Sequence, residues 1–226
     1  MSADPPPVGP VALVGGGEWQ EGCSFDAELL ARAGGVMLVL PTGAAYQRPD
    51  RAVARAERWF AALGGTARPL PVLTRADAQD RATAATVAAG RGIYLAGGSP
   101  LHLRSVLKAT PVWEAIRRAW LAGAVVAGSS AGAMVLTDPM VDPRGGALTL
   151  GLGLVEHLAV VPEFRGWDAD QIHRTLALAA PGLPVVGIEE RTALLREPDG
   201  TWRHLGAGQV SVVVDGGVGG LEDLPR

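Results

Sequence analysis

The residues with the clearest chemical meaning are Gly128-Ser129-Ser130-Ala131-Gly132, which follow a short apolar stretch at residues 124–127. A Gly-x-Ser-x-Gly sequence between a strand and a helix of small residues predicts a nucleophile elbow, because the glycines leave room for a sharp turn. The Ser130 hydroxyl would then stand at the carboxyl end of the sheet. Backbone amides at the start of the helix, Ala131 first, would point to where an oxyanion forms. The alternative is a glycine-rich turn whose serine does no chemistry.

The elements that must position Ser130 alternate between apolar strands and amphipathic helices. Strands are predicted at residues 11–14, 36–40, 70–73, 92–96, 124–127, 158–161, 185–188, 193–196, 202–205 and 210–214. Helices are predicted to start after Ser24, at Pro49, after Thr74, at Pro111, after Ser130 and after Asp168. This rhythm indicates an α/β fold, a three-layer and mostly parallel sheet flanked by helices, with a partly antiparallel C-terminal edge. Residues 1–10 are interpreted as a flexible Pro-rich leader and residues 11–226 as a single domain.

Composition argues against several classes of function. With 226 residues, 48% of them hydrophobic, the chain is long enough for one well-buried domain. A net charge of -3 without a basic run argues against nucleic-acid binding. No stretch approaches the roughly 18 continuous apolar residues of a membrane span. The single Cys23 cannot form an internal disulfide and no signal peptide is recognised, so a cytoplasmic location is expected by default.

The triple glycine at residues 15–17, directly after the first strand, raises the alternative of dinucleotide binding. Gln20 stands where the third glycine of a G-x-G-x-x-G fingerprint belongs, and Pro41 ends the second strand where a ribose-binding acid is needed. We therefore expect no cofactor, and we predict no metal site.

Six short motifs occur in a characteristic order along the chain. They are Gly15-Gly16-Gly17-Glu18, Leu40-Pro41-Thr42-Gly43-Ala44, Tyr94-Leu95-Ala96-Gly97-Gly98, Gly128-Ser129-Ser130-Ala131-Gly132-Ala133, Gly151-Leu152-Gly153-Leu154 and Gly187-Ile188-Glu189-Glu190-Arg191-Thr192-Ala193-Leu194-Leu195. Together they resemble peptidase family S51, which includes aspartyl dipeptidase and cyanophycinase, within the class I glutamine amidotransferase-like fold. The resemblance covers about residues 11–214. It implies that Ser130 is the nucleophile and that the amides of Gly98 and Ala131 form the oxyanion hole.

Two departures from the family pattern bear on the chemistry. Ser99-Pro100 follows the glycine pair, where cyanophycinases have an acidic or amide residue and a substrate-binding glutamine. Glu163 occupies the position of the family's catalytic histidine, and Trp167 and Ala169 occupy positions of family arginines. Most of the residues that would bind an aspartate-rich substrate are therefore expected to be absent.

The identity of the base is left open by the sequence. A serine hydroxyl needs a base to remove its proton, and a carboxylate with an ordinary pKa of about 4.3 does this poorly. Glu163 is the first candidate, with Glu189 as an acidic partner in the site. His173, one helical turn beyond Asp168, is the second candidate. The remaining histidines are interpreted as surface or hydrogen-bonded residues: His102, His157 and His204.

Three hypotheses follow from these observations. The first is an S51-like serine hydrolase that acts on a small peptide or acyl substrate, with altered specificity. Its substrate contacts would come from Glu18, Ser99, Arg165 and Trp167. The second is a catalytically silent relative that binds a small ligand or a partner protein in the same cleft, with Arg48 among the binding residues. The third is an amidotransferase-like subunit of a larger complex. A homodimer is left open.

Overall fold

The centre of the fold is a mostly parallel sheet of seven strands, seen in a computed structural model that describes residues 8–226. The strands are, in chain order, β1 (Val11–Val14), β2 (Val36–Leu40), β3 (Thr66–Pro69), β4 (Gly92–Leu95), β5 (Val125–Ser129), β6 (Thr137–Asp138), β7 (Met140–Val141), β8 (Leu148–Thr149), β9 (Val155–Glu156), β10 (Ala159–Pro162), β11 (Val185–Ile188), β12 (Thr192–Arg196), β13 (Trp202–Gly206), β14 (Val210–Val214) and β15 (Gly217–Gly219). The seven-stranded sheet has the order β13-β12-β1-β5-β4-β2-β3, and only β12 and β13 run antiparallel to their neighbours.

Helices pack on both faces of this sheet. They are α1 (Phe25–Arg32), α2 (Pro49–Ala62), α3 (Arg75–Gln79), α4 (Arg81–Ala88), α5 (Pro100–Leu107), α6 (Pro111–Leu121), α7 (Ala131–Leu136) and α8 (Ala169–Leu178). Successive residues of a strand point to opposite faces. Val11 and Leu13 accordingly join the hydrophobic cluster under α4 to α7, whereas Ala12 and Val14 join the cluster under α1 and α2. Burial on both faces explains why the strands read as apolar runs. The predicted α/β fold class is confirmed.

A second sheet of four strands, in the order β10-β11-β14-β15, lies beside the large one. The predicted antiparallel C-terminal edge of the large sheet is formed by β12 and β13, whereas the other C-terminal strands, β10, β11 and β14, belong to this second sheet. Strand β10 pairs in parallel with β11, and β11 pairs antiparallel with β14. Partner choice among such valine-rich strands depends on long-range packing, which sequence periodicity does not encode.

Two local predictions also need correction. The third strand occupies Thr66–Pro69 rather than residues 70–73, because it is the edge strand of the sheet and needs no continuous apolar run. Leu70 and Val72 are buried just beyond it. The helix after Thr74 is two helices, since Asp80 ends α3 and accepts the amides that begin α4.

The predicted leader falls mostly outside the described residues, which start at residue 8. Gly9 is buried and donates its amide to the carbonyl of Trp120 at 2.7 Å. The indole of Trp120 donates back to the carbonyl of Gly9 at 2.6 Å. Among the helices of residues 8–226, none combines the length and apolar character needed to cross a membrane.

The two sheets bring several loops to one edge of the molecule. Strands β1, β4 and β5 run parallel, so the loops at residues 15–18 and 96–99 and the turn at Ser130 meet at their carboxyl ends. Strands β10 and β11 are also parallel, with Pro162 opposite Ile188, so Glu163 and Glu189 follow them side by side. Clefts at the carboxyl ends of strands are the usual binding sites of open α/β sheets.

Candidate active site

Ser130 lies in the sharp turn between β5 and α7. Its backbone has φ 48° and ψ −108°, a conformation that residues with a side chain rarely adopt. Such strain costs about 1–3 kcal/mol and persists only where the surroundings enforce it. Here the Ser130 amide donates to the carbonyl of Val14 at 2.9 Å. The turn also depends on close glycine packing, because a β-carbon on Gly128 would lie 2.5 Å from the carbonyl carbon of Gly132.

Glu163 is the hydrogen-bonding partner of Ser130. The Ser130 hydroxyl donates to Glu163 Oε1 at 2.9 Å. Glu163 follows β10 with a left-handed backbone, φ 51° and ψ 39°, and its amide donates to the carbonyl of Gly15 at 2.7 Å. The carboxylate lies over Gly16, where a β-carbon would come within 2.9 Å of Glu163 Oε1. The glycine-rich loop after β1 therefore provides the space that lets Glu163 reach the serine.

The two predicted oxyanion-hole residues belong to different loops at the carboxyl ends of the strands: Ala131 directly follows Ser130, and Gly98 lies in the loop after β4. Ala131 is the first residue of α7, so its amide has no acceptor within the helix. Gly98 has φ 131°, and a β-carbon there would lie 2.1 Å from the carbonyl oxygen of Gly43, so only glycine fits. The neighbouring Gly97 packs against the serine, since a β-carbon on it would lie 3.4 Å from Ser130 Cβ.

A cleft of about 440 Å³ opens beside Glu163. It is lined by Glu163, Arg165, Gly166, Glu189, Glu190, Arg191, Ala207 and Gly208. Arg165 forms an ion pair with Glu189, whose other oxygen accepts the Gln209 amide at 3.1 Å. The side chain of Arg165 is 79% exposed, so this ion pair contributes little to stability.

A larger cleft, of about 610 Å³, lies at the opposite end of the sheet. It is lined by the residues that lead into β2 and β4, including Val36, Gly90 and Arg91. It therefore lies at the amino-terminal ends of the parallel strands, away from Ser130 and Glu163. We take the smaller cleft as the candidate binding site, because it includes the carboxylate bonded to Ser130.

Other predicted site residues already have protein partners. Ser99 caps α5, and its hydroxyl accepts the amide of His102 at 3.3 Å. Trp167 is half-buried against the hydrophobic cluster around α7. Arg48 pairs with Asp50 at 2.8 Å on the surface.

Histidines do not contact the serine. His173 is exposed on α8, and within residues 8–226 no histidine ring hydrogen bonds to Ser130. The rings of His102 and His204 bond instead to the carbonyls of Leu73 and Gly208, at 2.9 and 2.8 Å. The assignment of His173 as the base therefore remains a prediction, and no hydrogen bond to Ser130 supports it.

Sequence reasoning missed part of the cleft wall. Arg191 lies in the motif at residues 187–195, directly after Glu189 and Glu190, so its position could have been anticipated. Ala207 and Gly208 reach the cleft from the connection between β13 and β14, and no residue signal indicated them. In the described part of the chain no group of three or more acidic, cysteine or histidine side chains is placed to hold a metal ion.

Three buried titratable side chains, Asp26, Tyr94 and Cys23, lie in the hydrophobic cluster under α1 and α2 or at its border. Asp26 is fully buried, and its carboxylate accepts the indole N–H of Trp59 at 2.8 Å. Burial raises the pKa of Asp26 to about 8, with a smaller contribution from the charge of Glu18, while the Trp59 hydrogen bond acts in the opposite direction. Burial also raises the pKa of Tyr94 well above its usual value and that of Cys23 to about 11. These side chains are held uncharged at neutral pH.

The fold and the position of Ser130 together define a class of protein: an α/β protein with a half-buried serine in a strained strand-to-helix turn. The chain belongs to peptidase family S51, whose model matches residues 11–202. The resemblance inferred from the motifs is thereby confirmed, and a peptidase or hydrolase family is established for this chain.

Individual relatives agree with this assignment. A cyanophycinase from Synechococcus elongatus is 31% identical over 224 residues, which cover 91% of this chain and 68% of the relative. The crystal structure of a peptidase from an acI-B1 actinobacterium is 30% identical, with a TM-score of 0.82 over 92% of this chain and 91% of the other. A putative peptidase E from Listeria monocytogenes is 16% identical with a TM-score of 0.63, covering 92% and 98% of the two chains, and supports the fold alone.

Proposed function

We propose that this protein is a serine hydrolase of the S51 type that acts on a small peptide or acyl substrate, with Ser130 as nucleophile and Glu163 as base. The observation that carries the proposal is the 2.9 Å hydrogen bond from the Ser130 hydroxyl to Glu163 Oε1. It joins a serine in a strained turn to the residue that stands in place of the family's histidine. Nucleophile and base within hydrogen-bonding reach are the geometric requirement for covalent catalysis.

In this mechanism Ser130 Oγ attacks the substrate carbonyl carbon while its proton passes to the Glu163 carboxylate. The negative charge that develops on the carbonyl oxygen is stabilised by the amides of Gly98 and Ala131. Glu163 then returns the proton to the leaving amine or alkoxide, and the acyl group stays on Ser130. A water molecule attacks the acyl carbon, gives a proton to Glu163 and releases the acid, and the serine recovers its proton.

A carboxylate base affects the range of substrates. The ordinary pKa of a carboxyl group is about two units below that of imidazole, so proton transfer from serine is less favourable. We expect esters and activated acyl groups to react faster than unactivated amides. This expectation rests on replacement of the family histidine by Glu163, with Glu189 held beside it by Arg165.

Substrate contacts are proposed for the cleft beside Glu163. Its wall carries three carboxylates and two guanidinium groups, which suits a small ligand with charges of both signs. Arg165 and Trp167 lie two residues apart in the chain segment that follows Glu163, and Ser99 directly follows the Gly97-Gly98 pair. The relatives named cyanophycinase give the nearest substrate class, but Pro100, Trp167 and Ala169 remove the contacts that the family pattern would use for aspartate side chains.

The alternative is a catalytically silent relative that binds a ligand or partner in the same cleft. It is favoured by the lack of any histidine bonded to Ser130 in residues 8–226. Labelling with a fluorophosphonate from about pH 4 to 8 separates the two, because phosphonates react with activated serines only. The proposal expects labelling of the wild-type protein and none of Ser130→Ala.

The base is assigned by comparing further variants in the same assay. Glu163→Gln should lose labelling and ester hydrolysis by about 10²–10⁴-fold, the usual contribution of a general base. Ser105→Ala, which changes an exposed serine of α5, is the matched control and should label like wild type. If Glu163→Gln retains activity and His173→Ala loses it, His173 is the base. If Ser130 resists labelling throughout, the silent-relative hypothesis is correct.

A further inference from the structure

The carboxylate of Glu18 links two loops of the candidate active site. Its Oε2 accepts the hydroxyl of Ser129 at 2.7 Å, and its Oε1 accepts the amide of Gly97 at 3.3 Å. Ser129 immediately precedes the nucleophile, and Gly97 immediately precedes Gly98. One side chain thus connects the end of β5 to the loop after β4.

The link lies directly behind the serine. A β-carbon on Gly97 would lie 3.3 Å from Glu18 Oε1 and 3.4 Å from Ser130 Cβ. Gly97 is therefore held between the carboxylate and the nucleophile. Because both oxygens of Glu18 already accept hydrogen bonds, this carboxylate is poorly placed to bind a substrate.

The backbone that carries Glu18 is fixed independently of the two groups it joins. The amide of Gly15 donates to the carbonyl of Thr192 at 2.9 Å, and the amide of Arg191 donates to the carbonyl of Gly16 at 2.8 Å. Trp19, the residue after Glu18, is 2% exposed and packs on the ring of Tyr94 at 5.1 Å between centroids. Ser129 itself is fully buried. The Glu18 side chain thus spans from a backbone that is fixed by hydrogen bonds and packing to its two partners, Ser129 and Gly97.

We propose that Glu18 is a positioning residue that sets the distance between the Ser130 nucleophile and the Gly98 oxyanion donor. The proposal rests on the proposed hydrolase function of Ser130. It also changes the sequence-based role of Glu18, which was substrate binding. An oxyanion hole depends on donors placed about 2.7–3.1 Å from the developing charge, and loss of one donor lowers kcat by about 10²–10³-fold. Moving the Gly98 amide out of position, rather than removing it, should lower kcat by a smaller factor.

Three variants test the link through hydrolysis of p-nitrophenyl acetate. Glu18→Ala removes both hydrogen bonds and should lower kcat about 10- to 100-fold, with KM within about twofold of wild type. Glu18→Gln retains the link, because its oxygen can accept the Gly97 amide while its NH₂ donates to Ser129 Oγ. It should keep kcat within about threefold. Glu21→Ala, at an exposed position in the same loop, is the matched control and should behave as wild type.

Hydrogen–deuterium exchange gives a readout that does not depend on turnover. In Glu18→Ala the segment 95–99 should exchange faster than in wild type, whereas in Glu18→Gln it should not. If Glu18→Ala does not fold, Ser129→Ala removes one end of the link and should lower kcat in the same direction by a smaller factor.

Several results overturn the proposal. A raised KM with unchanged kcat in Glu18→Ala means that Glu18 contacts the substrate. Equal losses in Glu18→Gln and Glu18→Ala mean that the negative charge matters and the link does not. Unchanged exchange of segment 95–99 in Glu18→Ala removes the structural basis. A wild-type protein that neither turns over the ester nor labels with a fluorophosphonate refutes the hydrolase function, and the exchange result still decides whether the link exists.

Discussion

Replacement of Asp26 by asparagine should remove a pH dependence of stability that burial of this carboxyl group creates. Asp26 is fully buried on α1, and one of its oxygens has no hydrogen-bonding partner in the described part of the chain. Burial raises its pKa to about 8 in the folded protein. In the unfolded chain an aspartate has a pKa of about 3.9. Between these two values the folded state holds one proton more than the unfolded state.

The sign of the effect follows from this difference in bound protons. Folding takes up a proton in this pH range. The contribution of Asp26 to the free energy of unfolding is therefore highest below about pH 4, and it falls as the pH rises towards 8. The slope is about 1.4 kcal/mol per pH unit, which gives about 2.5 kcal/mol between pH 5 and pH 7. The wild-type protein should therefore be less stable at neutral pH than its packing alone would allow.

Urea unfolding at pH 5, 6, 7 and 8 measures this effect. Asparagine has nearly the same shape as a protonated aspartate and cannot ionise, so Asp26→Asn should lack the slope. The stability of the variant relative to wild type should increase by about 2.5 kcal/mol from pH 5 to pH 7. Asp50→Asn is the control. The pKa of Asp50 is held below its usual value by the Arg48 guanidinium, so its titration lies below this pH range and its curve should stay parallel to wild type.

A flat difference between Asp26→Asn and wild type from pH 5 to pH 8 would refute the reasoning. It would mean that Asp26 is ionised in the folded protein. A ¹³C NMR titration of the Asp26 carboxyl group then provides the direct check, with a midpoint near 8 expected.

Three further predictions concern the site and its surroundings. Glu163→His should raise the rate of ester hydrolysis and give a pH profile whose acid limb lies near the ordinary imidazole pKa of about 6.5; a slower variant with an unchanged profile would argue against Glu163 as the base. The wild-type protein should cleave cyanophycin and Asp-Xaa dipeptides far more slowly than about 1 s⁻¹, because the family resemblance predicts that Pro100 and Trp167 stand in place of carboxylate-binding residues; ordinary turnover in an amine-release assay would contradict this. Cys23, with its pKa raised to about 11 by burial, should resist iodoacetamide at pH 8 until the protein is unfolded in urea, and rapid labelling of the folded protein would count against its burial.

The large sheet could be predicted from sequence because its strands are buried on both faces. β1 appears as a continuous apolar run followed by three glycines, and β5 as an apolar run that ends in Gly128-Ser129. The edge strand β3 was misplaced because Thr66–Pro69 is half polar, whereas the apolar Leu70 and Val72 lie beyond it as core residues. A run of apolar residues indicates that a segment is buried, but it does not show that the segment forms the backbone hydrogen bonds of a strand.

The separation of the C-terminal strands into two sheets was not predictable in the same way. β11 and β12 are four-residue and five-residue apolar strands only three residues apart, yet they belong to different sheets. Which partner each one takes depends on contacts with β10 and β1, far away in the chain.

The candidate site was predicted in part. Ser130 was indicated by its local motif, and Glu163 by the resemblance to family S51, but no spacing rule places residues 33 apart at 2.9 Å. Glu18 stays a predicted substrate contact. Its two carboxylate oxygens accept hydrogen bonds from Ser129 and Gly97, each more than 70 residues away in sequence, so local spacing does not reveal this link either.

The two partners of the central hydrogen bond directly follow strands of different sheets: Ser130 follows β5 of the large sheet, and Glu163 follows β10 of the small one. The ring of Phe164 lies over Gly187 of β11, where a β-carbon would come within 2.4 Å of it, so the segment after Glu163 packs against the small sheet. The length of the hydrogen bond between Ser130 and Glu163 therefore depends on how the two sheets pack against each other. Substitutions at the contact between the two sheets are therefore expected to change the distance between Ser130 and Glu163, although they lie outside the candidate site.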